Sequence, residues 1–85
     1  VDIAGMVRDG YLKLQAMTRD ASWEDYQVLT QGKPYQIVIQ KAEAYKVMVY
    51  RAIERGPNIP DRIGAVYVEL MDAFEEASEW ISDKL

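Results

Sequence analysis

Residues 63–85 read IGAVYVELMDAFEEASEWISDKL, and their spacing decides the fold. Ile63, Tyr67, Leu70, Phe74, Ala77, Ile81 and Leu85 return every three or four residues, while Glu69, Asp72, Glu76, Glu79 and Asp83 keep the same rhythm between them. At about 3.6 residues per turn these sets form opposite stripes of a helix, one apolar and one acidic. The apolar stripe needs a covering surface, and the acidic one needs water, cations or a basic partner.

Gly56-Pro57-Asn58-Ile59-Pro60-Asp61, just before this stretch, is a boundary. Gly56 suits a left-handed cap, Pro57 cannot continue the hydrogen-bond ladder, and Asn58 with Pro60 in the first turn suits the start of the last helix. Before it, Val38, Ala42, Tyr45, Val49 and Ala52 hold helical spacing through Tyr35 to Arg55. The start of that segment, Tyr35-Gln36-Ile37-Val38-Ile39, alternates as a strand would. A lone strand needs a partner, so one long helix is the reading.

Gln31-Gly32-Lys33-Pro34 separates this helix from a short one over Trp23 to about Thr30, with Gly32 as a left-handed cap and Pro34 at the start of the next helix. Ser22 caps the short helix, and Asp25 is placed to reach back to it. In the first segment Ile3, Val7, Tyr11, Leu14, Thr18 and Ala21 share a helical face, with Met6 and Met17 at its edge. Gly10 inside that helix costs about 1 kcal/mol relative to Ala, which suggests a place where another backbone comes close. The expected fold is all-α, a single domain over residues 1–85. It is a compact bundle of three long or medium helices plus one short helix, either up-and-down or an intertwined dimer.

Composition narrows the function. The 85 residues contain neither Cys nor His. Disulfides, thiolate and imidazole metal sites, Cys nucleophiles and the usual neutral-pH general base are therefore excluded. Ser22, Ser78 and Ser82 lack a His to activate them, and no glycine-rich phosphate loop occurs. A short chain without such staples often gains stability by pairing with a copy of itself. No apolar run reaches the roughly 20 residues that span a bilayer, and the start VDIAGMVRDG lacks the features of a signal peptide. The expectation is a soluble, cytoplasmic protein with no membrane partner and no cofactor.

Charge is unevenly distributed. Residues 32–68 carry six basic and three acidic side chains, and residues 69–85 carry one and six. The middle and last helices can attract each other, within or between chains. Lys41, Lys46, Arg51 and Arg55 scatter around their helix, and the net charge of −4 disfavours a polyanion, so direct nucleic-acid binding is not expected.

Each candidate feature has a plain structural alternative. Glu69, Asp72, Glu76, Glu79 and Asp83 form a solvated face by default, and a charge-selecting face for a partner otherwise. Glu69-x-x-Asp72 resembles one half of the acidic signature of the all-helical MazG-type nucleotide pyrophosphohydrolases. Only those few residues are covered. Glu43 and Glu54 on the preceding helix form no Glu-x-x-Glu pair, so no site residues carry over.

Tyr11, Tyr45 and Tyr67 fall on core faces, and Trp23 and Trp80 are expected as anchors at the core edge. Leu12, Ile39, Val47, Tyr50 and Val68 break the pattern. Single exposed apolar residues are normal, whereas a cluster marks an interface. The expected interface comprises Ile39, Val47 and Tyr50, with Glu69, Asp72, Glu76 and Glu79 selecting the partner by charge. The functional expectation is a noncatalytic, acidic protein-interaction and assembly module that self-associates. A carboxylate-based metal-binding enzyme and an acidic inhibitor of a nucleic-acid-binding protein are the alternatives.

Overall fold

A computed structural model describes residues 3–55 and 61–85 and places four helices there: α1 (Ile3–Arg19), α2 (Trp23–Gln31), α3 (Lys33–Arg55) and α4 (Asp61–Lys84). The fold is all-α, with no strand among the described residues. Residues 35–39, which alternate as a strand would, belong to α3. Their β-branched side chains pack toward the core of the bundle, and no other described segment offers a strand to pair with. The boundary drawn at Gly56 to Pro60 lies outside the described residues. No described helix is long and apolar enough to cross a membrane.

Helix α4 carries the core, with Ile63, Leu70, Phe74, Ala77 and Ile81 buried on one face as their spacing predicts, joined by Ala73. Leu85 departs from the expected stripe: it lies beyond the end of α4 and is exposed. From α3, Tyr35, Val38, Tyr45 and Ala52 are buried against this face, and α1 adds Leu14 and Thr18. The Thr18 hydroxyl donates to the Gln15 carbonyl at 2.9 Å, so its burial leaves no polar group unpaired.

Three contacts fix the direction of α3 against α4. Gly32 meets Trp80, Lys41 reaches Glu69 and Tyr45 packs on Tyr67, so the two run antiparallel. Helix α1 runs parallel to α4 instead, since Met6 meets Tyr67 and Gly10 meets Phe74. The close approach inferred at Gly10 is real, but an aromatic ring makes it: a Cβ there would sit 3.3 Å from Phe74 Cε2.

The corner between α2 and α3 depends on Gly32, for a reason different from the one its sequence context suggests. Its φ of −62° and ψ of 143° are extended, not left-handed. The Gly32 N–H closes α2 on the Leu29 carbonyl at 3.3 Å, and its carbonyl opens α3 by accepting from the Gln36 N–H at 3.1 Å. Gln36 Nε2 donates to the Thr30 carbonyl at 2.6 Å, covering one of the free acceptors at the end of α2. What excludes a side chain is the Trp80 indole, which fills the space a Cβ would take. At the other end of α2, Ser22 Oγ accepts from the Asp25 N–H at 3.2 Å, the expected cap, which contributes about 1 kcal/mol.

Burial pushes the Tyr35 hydroxyl above its ordinary value of 10.0, with Tyr11 and Tyr26 acting in the same direction. Tyr45 is raised by burial and by Tyr67. The folded state therefore holds these phenolic protons to higher pH than the unfolded chain does. Their contribution to stability is complete below pH 10 and is lost as pH rises through the folded values. Urea midpoints should hold steady with respect to these groups up to about pH 9 and fall beyond pH 10. The fall should be shallower in Tyr35→Phe/Tyr45→Phe; an unchanged slope contradicts the assignment.

Candidate partner-binding groove

Both α1 and α3 lie on α4, but they do not close on each other. Tyr67 sits at the level of Tyr45, with ring centroids 5.9 Å apart, and its hydroxyl lies 3.6 Å from Met6 Sδ. An open groove of ≈ 670 Å³ lies between the two helices.

Tyr11 and Val7 of α1 form one wall, and Ala42, Tyr45 and Val49 of α3 form the deeper part of the other. The outer edge is a row on α3: Ile39, Glu43, Lys46, Tyr50 and Ile53. Tyr50 is 59% exposed and Ile53 69%, although both are large and apolar. Arg8 stands at the opposite rim. The Lys46 ammonium lies 5.9 Å from the Tyr50 ring centroid, within the range of a cation–π contact.

Of the residues the sequence singled out, Ile39 and Tyr50 meet at this groove. Val47 is exposed outside its lining, because one residue's step from Lys46 turns it about 100° around the helix. The acidic residues Asp72, Glu76 and Glu79 are exposed on α4 and are not part of the groove. Glu69 faces α3, where its Oε2 lies 3.3 Å from Lys41 Nζ. That exposed pair joins the basic middle helix to the acidic last one within a single chain and contributes about 0–1 kcal/mol. No three acidic side chains come together closely enough to hold a cation among the described residues.

The sequence pattern missed Ile53, whose three-residue step from Tyr50 was the available signal. It also missed Val7, Tyr11 and Val49 as groove residues, since their core-facing phase hides that the core stays open there. Trp23 corrects another expectation. It is 70% exposed and stacks on Tyr26 with centroids 5.7 Å apart, instead of anchoring the core edge. Trp80 does hold that role, half-buried against Gly32.

A second, smaller cleft of ≈ 270 Å³ lies where Gln15, Thr18 and Arg19 face Tyr26 and Tyr35. Its lining is polar and supplies no nucleophile paired with a base. No family model matches the chain, and comparison with curated proteins and with solved structures gives no significant match.

Proposed function

We propose that this chain is a noncatalytic protein-interaction and assembly module whose α1–α3 groove receives the apolar face of a partner helix. One observation supports this above others: Tyr50 and Ile53 stand exposed at the edge of an apolar groove that is open among the described residues. Large apolar side chains gathered around a concavity are what an amphipathic helix covers when it docks. Tyrosine suits such an edge, since its ring buries area while its hydroxyl stays wet.

In this reading each chain is an up-and-down helical bundle that gains a neighbour on its open flank, without exchanging hairpins. The acidic face of α4 keeps the unit soluble and disfavours other acidic surfaces. Replacing Tyr50 with photoreactive benzoylphenylalanine tests the proposal, with the same replacement at exposed Val68 on α4 as control. Irradiation should give discrete adducts from position 50 and far fewer from 68. Equal yields from the two positions overturn the groove as the contact surface.

A further inference from the structure

The row at the groove edge has a spacing of its own. Ile39, Glu43, Lys46, Tyr50 and Ile53 advance by alternating steps of four and three residues. That is the spacing of a two-helix coiled-coil seam, and here Glu43, Lys46, Tyr50 and Ile53 are exposed along it while Ile39 is half-buried against the core. From this we infer that the groove's occupant is a second copy of the chain, with the two α3 helices antiparallel across a two-fold axis. The inference rests on the module reading above and names its partner.

Charge selects the arrangement. In the register that places Glu43 opposite Lys46 of the second copy, symmetry places Lys46 opposite the other Glu43. Both charged seam positions are then paired, and Ile39 lies opposite Tyr50 in two further layers. Sliding the helices by one seam step puts Glu43 against Ile53 and Lys46 against Tyr50, leaving all four charges unpaired at the seam. A parallel pair sets Glu43 against Glu43 and Lys46 against Lys46. Each alternative places a charge against an apolar or like-charged neighbour, which is how polar seam residues enforce one register.

Glu43 and Lys46 are exposed, so exchanging their charges leaves the folded monomer intact and tests the pairing directly. By sedimentation equilibrium the parent should dimerise, while Glu43→Lys and Lys46→Glu should each weaken self-association about tenfold or more. An equimolar mixture of these two variants should recover it, because every seam pair is then of opposite sign. The chain has no cysteine, so Ile39→Cys and Tyr50→Cys chains can be mixed and oxidised without competing thiols. The mixture should give a disulfide-linked dimer and neither variant alone should.

Crosslinking of Ile39→Cys with itself overturns the antiparallel arrangement. A parent that stays monomeric at about 0.1 mM overturns the second copy as occupant. Discrete adducts from position 50 to a different protein would then leave the module reading standing, whereas no adducts beyond the Val68 control would remove both.

Discussion

Leu70→Ala is expected to lower stability by roughly 2–5 kcal/mol, the range for emptying a fully buried leucine site. Leu70 is 0% exposed and lies on the α4 face against which α3 and α1 pack. The loss combines the transfer energy of the missing methyl groups with the cavity they leave between long helices that cannot collapse freely. A domain of this length has about 4–13 kcal/mol in total, so the melting temperature should drop by on the order of 20 °C. Val68→Ala, at an exposed position two residues away, should stay within about 0.5 kcal/mol of the parent. Circular dichroism melts of the two variants make the comparison. Similar melting temperatures would mean that α4 does not carry the core.

Gly32→Ala should cost about 1–3 kcal/mol through overpacking, because its Cβ would enter the space of the Trp80 indole. Backbone strain does not contribute, since the φ and ψ of Gly32 suit any residue. The origin of the cost can therefore be separated by a second substitution. With Trp80→Leu in place, Gly32→Ala should become neutral, or stabilising by about 0.4–1 kcal/mol as the unfolded chain loses freedom. Gly64 supplies the contrast: among the described residues nothing lies within 4 Å of its missing Cβ, and alanine there should gain about 0.5–1 kcal/mol. A Gly32→Ala penalty that persists without the indole would contradict the steric cause.

Much of the fold is legible in the sequence because the informative residues repeat. Along the stripe from Ile63 to Ile81 every member but the half-buried Tyr67 is buried as its period predicts, and Ser22 caps α2 as its position predicts. Single residues whose role depends on another helix are less legible. Gly32 reads as a left-handed cap until Trp80, far along the chain, is seen to occupy its side-chain space. Trp23 reads as an anchor because large aromatics usually bury, yet the structure places it outside the core, stacked on Tyr26.

The candidate site follows the same rule. Ile39 and Tyr50 break the core pattern of α3 and are visible as exceptions, whereas the groove beside them is formed jointly with Val7, Arg8 and Tyr11 of α1, which the pattern of α3 alone does not supply. Val49 and Tyr11 carry a core phase along their helices, and no periodicity reveals that their core is left open. The acidic stripe attracts attention in the sequence because it is long. In the fold its residues lie along the exposed side of α4, apart from the apolar edge, and Glu69 is engaged by Lys41 within the chain.

Groove and acidic face can be separated in one measurement, sedimentation equilibrium of the parent beside Tyr50→Glu and Glu76→Lys/Glu79→Lys. Assembly through the groove predicts that the parent and the α4 variant associate alike, while Tyr50→Glu is monomeric and melts as the parent monomer does. Association that survives Tyr50→Glu and disappears with the α4 variant would contradict it.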